Sequence, residues 1–247
     1  MYLVLCSASD FSGLWVCDGL RQLGIAPLEL VLAESLACAS LWEHRLQGSR
    51  THLKITLPDG RTVCSSRIRG VINRLLAPAP GAAYRAAESD REYAQAELHA
   101  FYLSWLKGLP GRVVNPPTAV GLSGSWYHAS EWVSRASRAG LTVRPYRQSS
   151  HDAPEDSFRP LAPEGAARLS LITFGGQLFG GSVSAAIGCA CARLAREAQA
   201  ELLGVELYRE GAGAWIFAGA TPQPDLSIGG TPLLQCLARE LTQGERP

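Results

Sequence analysis

LGVELYREGAGAWIFAGATPQPDL, residues 203–226, is the stretch on which the reading of the fold turns. A strand ends on Glu206, Gly211 and Gly213 carry a turn, and a second strand, WIFAGAT, runs into the Pro-rich loop PQPDL. The hairpin signal is intact. Its capacity for metal chemistry is thin: Gly219 and Thr221 stand toward the end of the second strand. Glycine has no side chain and threonine offers only a neutral hydroxyl, so neither replaces a carboxylate as a hard oxygen ligand.

Working outward, the chain has 247 residues, 47% of them hydrophobic, enough for one large domain or two small ones with a substantial core. The net charge of +1, without a long run of either sign, gives no global pull toward nucleic acid or an anionic membrane. No apolar stretch approaches the roughly 18 residues of a membrane span. MYLVLCSASDF lacks a basic region ahead of its apolar run, so it reads as a first buried strand rather than a signal peptide. Seven cysteines, an odd number with no C-x-x-C pair, fit reduced thiols in a cytoplasm. Cys189 and Cys191 lie two apart on an expected helix and so point to different faces.

The order of elements predicts an α/β fold. YLVLC (2–6), a helix capped by Asp10 or Ser12 and stopped by Gly24, and a strand at 26–32 give a parallel strand–helix–strand unit. Residues 51–57 alternate, Pro58-Asp59-Gly60 turns the chain and 62–64 returns, a hairpin. GVINRL (70–75) is a buried strand, 88–107 an amphipathic helix, and 112–115 a strand stopped by Pro116-Pro117. A helix at 125–139, with its cap at Ser123 or Ser125, ends at Gly140, and a strand follows at 141–146. Residues 147–166 are polar and proline-bearing, a loop or linker. A strand–turn–strand at 167–183, an Ala-rich helix at 185–202, the tail hairpin and a helix from about Pro232 to Thr242 complete the chain.

In that order the sequence resembles the RimK-like ATP-grasp ligases, above all the graspetide (microviridin-type) ligases that macrocyclise ribosomally made peptides. GVINRL, the helix with Glu97, VVNPP (113–117), GLTVRPY (140–146), LITFGGQLFGGSV (171–183), the tail hairpin and GGTPLLQCLARELTQ carry the resemblance. It implies a pre-ATP-grasp-like parallel-sheet domain over 1–146, a linker over 147–166 and an ATP-grasp C-terminal lobe over 167–247. The departures are chemical. A working member has a central nucleotide-binding lobe of roughly a hundred residues, with a lysine strand and a glycine-rich flap; only 147–166 stands in its place, and the chain's lysines, Lys54 and Lys107, are elsewhere. The family's lysine before the 125–139 helix corresponds to Trp126, and the metal ligands to Glu206, Gly219 and Thr221. One carboxylate does not hold two magnesium ions. The resemblance therefore implies a reduced C-terminal lobe that lacks the central lobe and does not ligate independently with ATP.

The residues singled out carry two readings each. Glu206 is a residual ligand or a solvent-facing acid, and Asp225 reaches the same cleft or forms a turn. Asn73 and Arg74 bind a peptide carboxylate through forked contacts or make a surface ion pair. Trp126 with Tyr127 and Trp132 marks a binding surface if exposed and a core if buried. The five histidines have no metal spacing, and the glycines at 175–176 and 180–181 suit turns and bulges rather than a phosphate loop. The expectation is a non-catalytic homologue that binds a peptide or protein partner, without cofactor, metal, nucleic acid or membrane. The alternatives are a ligase completed by a partner chain and a homo-oligomeric structural protein.

Overall fold

β1 (Tyr2–Cys6) is buried along its whole length, as an uninterrupted YLVLC run demands of a strand covered on both faces. The computed structural model describes residues 1–48, 50–79, 86–147, 162–163, 165–209 and 211–243, with the backbone alone at Arg50. Asp10 caps α1 (Phe11–Gln22) by accepting from the Gly13 N–H at 3.1 Å. The chain continues through β2 (Leu28–Leu32), α2 (Ala33–Ala37), β3 (Leu41–Gln47), β4 (Arg50–Thr56), β5 (Thr62–Cys64), β6 (Gly70–Asn73), α3 (Arg91–Lys107) and β7 (Arg112–Val114). Strands in the order β2-β1-β6-β7 form a parallel sheet. β3-β4-β5 form an antiparallel one, with the expected Asp59-Gly60 turn between β4 and β5.

Between these sheets' apolar residues and α3 lies a core of Leu3, Leu5, Leu53, Ile55, Val71, Tyr102 and Trp105. Trp42 of β3 packs its ring against Phe101, Tyr102 and Trp105 at centroid distances of 5.2, 5.1 and 5.1 Å.

α4 (Ala129–Ala139), β8 (Ala167–Phe174), β9 (Gln177–Phe179), α5 (Ala185–Glu197), β10 (Leu203–Arg209) and β11 (Ile216–Thr221) follow, and α6 (Gly230–Thr242) closes the chain. The strands form an antiparallel sheet ordered β11-β10-β8-β9. Its apolar face, with Leu171, Val205, Leu207 and Phe217, packs on Trp132, Ala136, Cys191 and Leu194 of α4 and α5. By contacts the chain divides into two compact units, Met1–Gly124 with Leu234–Pro247, and Ser125–Leu233. Only residues 140–166 separate α4 from β8. The linker expected at 147–166 lies for the most part outside the described residues.

Some boundaries differ from expectation for physical reasons. The segment 141–146 is not a strand of any sheet; Thr142 O accepts from Phe217 N at 2.8 Å, but Pro145 has no N–H to extend a ladder. The helix expected from 125 starts at Ala129, capped by the His128 ring, while Ser123 and Ser125 are buried in the segment before it. The helix expected at 185–202 stops at Glu197, where Gln199 turns with φ 52°. β10 runs past Glu206 to Arg209, because Tyr208 still pairs with Arg168 and Ile216.

The cysteines divide as the sequence suggests. Cys189 is exposed and Cys191 buried, with Cys6, Cys17 and Cys236 also buried and Cys38 exposed. Burial, with the Asp10 charge adding to it, pushes the Cys6 thiol up to about 12 from the ordinary 9.0, and burial alone pushes Cys191 up to about 11. The folded chain holds these protons more tightly than the unfolded one. The stability they contribute is fully present below the unfolded value of 9.0 and is lost as pH rises through about 11 and 12. In native alkylation followed by peptide mapping, Cys38 and Cys189 are expected to label while Cys6 and Cys191 label only after unfolding. Fast native labelling of Cys6 would contradict this packing.

Candidate functional site

Along β10 the side chains alternate. Leu203, Val205 and Leu207 enter the core beneath α4 and α5, which turns Gly204, Glu206 and Tyr208 to the opposite face of the sheet. Across that face Glu206 stands opposite Ser170 of β8 and Gly219 of β11, and Gly204 stands opposite Thr221. Glu206 is half-buried, and its carboxylate accepts from the Ser170 hydroxyl at 2.7 Å. A Cβ on Gly219 would meet nothing within 4 Å, so the position beside Glu206 is open. Thr221 Oγ1 accepts from the Gln223 N–H at 3.1 Å, which turns the end of the strand.

These residues do not fit the pair of magnesium ions that the resemblance implies. The row holds one carboxylate, and its cross-strand neighbour Gly219 contributes no ligand atom from a side chain. Among the described residues no three His, Cys, Asp or Glu side chains come together as a metal-binding group. Two arginines lie by Tyr208, two residues along β10 from Glu206. Arg168 pairs with Tyr208 in register and shares the face, and the Arg144 guanidinium lies 5.4 Å from the centre of the Tyr208 ring.

The remaining expected residues are placed as follows. Asp225 is a turn residue: its carboxylate accepts from the Ser227 N–H at 3.0 Å and the Ser227 hydroxyl at 2.7 Å, opening the short 3-10 turn that leads to α6. Asn73 is buried, donating to the carbonyls of Asn115 and Leu122 at 3.0 and 2.7 Å and accepting from Leu75 N at 3.3 Å. Arg74 is buried too, and not a surface pair. It makes its forked contact to Asp10, Nε to Oδ2 at 2.6 Å and Nη2 to Oδ1 at 3.0 Å. The aromatic trio is split. Trp132 is core, Tyr127 meets it edge-on at 5.0 Å with the Arg135 guanidinium above, and Trp126 is exposed.

A second feature was not legible in the sequence. A cleft of about 580 Å³ opens on the helix-bearing side of the same unit, walled by Leu141, Val183, Ile187, Leu207, Ala214 and Trp215. Its size and mostly apolar wall suit a small molecule or a few apolar side chains. Residues from four separate segments build it, and no local motif marks such a convergence.

No known family model matches the sequence, and no curated protein does. Solved structures do match. The macrocyclase MdnC from Microcystis aeruginosa MRC, bound with precursor peptide MdnA, aligns with TM-score 0.75 over 98% of this chain and 100% of its own at 12% identity. A RiPP-associated ATP-grasp ligase from Chryseobacterium gregarium, in complex with ADP and a leader and core peptide, gives 0.71 over 100% and 97% at 9% identity. The ATP-grasp ligase PsnB, complexed with a minimal-precursor variant, Mg and ADP, gives 0.70 over 99% and 98% at 13% identity. The fold is that of ATP-grasp ligases. Among the described residues no helix is long and apolar enough to cross a membrane.

Proposed function

We propose that this chain is a non-catalytic ATP-grasp homologue that binds a peptide or protein partner, an accessory factor in making a peptide-derived product. The observation that carries the reading is the Ser170–Glu206–Gly219 row: where a ligase of this fold needs a set of acidic oxygens, one carboxylate faces a bare glycine. The peptide class is supported by the structural likeness to enzymes solved with precursor peptides. In this reading residues 1–146 keep the pre-ATP-grasp-like layer and 167–247 the reduced C-terminal lobe. The Arg168 guanidinium takes a carboxylate of the partner. Exposed Trp126 and the cleft at Trp215 take its apolar side chains.

Titration calorimetry with ATP and magnesium, alongside affinity capture from the native host with peptide mass spectrometry, tests this. The expected result is no heat with the nucleotide and a co-purified peptide or protein whose retention falls with Arg168→Glu. Saturable ATP–magnesium binding accompanied by ADP release overturns the non-catalytic reading.

A further inference from the structure

We propose that the cleft at Trp215 holds the C-terminal residue of the peptide partner, its apolar side chain on the cleft wall and its terminal carboxylate on Arg209. This rests on the peptide-binding reading and names the part of the peptide that this cleft takes. The cleft lies wholly within the unit Ser125–Leu233, on the helix-bearing side of the sheet and on the other side from the Glu206 row. Leu207, which lines it, is buried, while Val183, Ile187 and Trp215 are only partly covered by the core they join. Apolar surface left half-open in a concave wall gains from a ligand that removes it from water.

The charge at the cleft selects among apolar ligands. Side chains alternate along β10, so Arg209 follows Leu207 on the cleft's side of the sheet, whereas Glu206, and Arg168 opposite Tyr208, belong to the other side. The Arg209 guanidinium lies over the Trp215 ring, 4.7 Å from its centre. Stacking on the ring leaves its in-plane N–H groups to bond elsewhere, and among the described residues no carboxylate pairs with them. None of the residues lining the cleft is acidic. An exposed guanidinium at the edge of an apolar cleft complements a ligand that carries one carboxylate beside an apolar body. In a peptide the C-terminal residue has that form, because its carboxylate is one bond from the Cα that bears the side chain. A mid-chain aspartate or glutamate brings the charge in place of the apolar body. Ser184, also on the cleft, accepts from Ile187 N at 3.4 Å, so its hydroxyl proton is left to bond a main-chain carbonyl of the ligand. A volume of about 580 Å³ has room for the terminal residue and its predecessor.

Nuclear magnetic resonance of the full chain tests this with two probes, acetyl-Ala-Leu-Phe as the free acid and the same tripeptide as its C-terminal amide. The readout is the Trp215 indole N–H resonance, assigned by its loss in Trp215→Phe. The acid is expected to shift it saturably, with an affinity about tenfold or more above that of the amide. Arg209→Gln is expected to weaken the acid about tenfold and leave the amide unchanged. Ala186→Leu, which fills the cleft from an exposed helix position, is expected to weaken both. Arg168→Glu, on the opposite face, is expected to change neither. The backbone N–H spectrum of each variant confirms its fold. Equal binding of acid and amide overturns the proposal. So does an acid indifferent to Arg209→Gln, or one that leaves the Trp215 resonance unmoved up to its solubility limit. The titration needs no native partner, so it is read apart from the capture experiment. A partner still captured while the acid fails to bind ends this inference and leaves the peptide-binding reading standing.

Discussion

Asp10→Ala is expected to cost the fold about 4–6 kcal/mol, measured as a shift in the denaturant midpoint. Two losses add. The carboxylate caps α1 through Gly13 N, a contribution of about 1 kcal/mol. It also neutralises the Arg74 guanidinium, whose side chain is 7% exposed, and stranding a buried charge costs about 3–5 kcal/mol. Arg74→Ala is expected to lose a similar amount, because Asp10 is then left 14% exposed without its cation. The double variant Asp10→Asn with Arg74→Met is the informative one. Asparagine caps a helix as well as aspartate, and a volume-matched apolar side chain commonly replaces a buried pair at little cost. Most of the lost stability is therefore expected to return. The folded double variant then reports on function: retention of the partner assigns Arg74 to the architecture of the β1–β6 edge. Loss of the partner from a well-folded double variant assigns it to binding.

That pair also shows why the site was only partly legible in the sequence. Arg74 reads as a binder of a peptide carboxylate or as half of a surface ion pair, because Asp10 lies 64 residues away and only the β1–β6 register brings the two together. The same holds for Arg168, which reaches the Glu206 face through the pairing of β8 with β10, and for the cleft at Trp215. What local chemistry fixes was readable. YLVLC, the Asp59-Gly60 turn, the Gly140 stop with its φ of 89° and the row of Glu206 with Gly219 all behave as their residues dictate. β3 escaped because LWEHRLQ does not alternate cleanly: Trp42, His44 and Leu46 share one face, while apolar Leu41 shares the other with Glu43 and Arg45. The segment 141–146 failed in the opposite sense: Leu141 and Val143 supply strand-like residues, but Pro145 has no N–H to give, and a single hydrogen bond, from Phe217 N to Thr142 O, stands where a ladder was expected.

Installing further oxygen donors is expected to create a divalent-metal site where the Glu206–Gly219 row now has a single carboxylate. Gly219→Glu adds a carboxylate directly across from Glu206, into space where nothing lies within 4 Å of a new Cβ. Cβ atoms opposite one another across antiparallel strands are about 4.5–5.5 Å apart, a span a divalent ion bridges between two carboxylates. Thr221→Asn adds a neutral amide oxygen two residues along the same face. Without metal, like charges across the strands destabilise the double variant by about 0.2–1 kcal/mol, so its melting temperature falls slightly. With manganese or magnesium at about a hundred times the dissociation constant, mass action returns about 2.7 kcal/mol, a rise of about 5–10 °C for a chain of this size. The wild-type chain is expected to show no such rise under the same titration. That contrast carries the argument from sequence to function: if wild type is stabilised by the ion as strongly as the variant, a donor set other than the Glu206 row holds it, and the case for lost chemistry at that row fails.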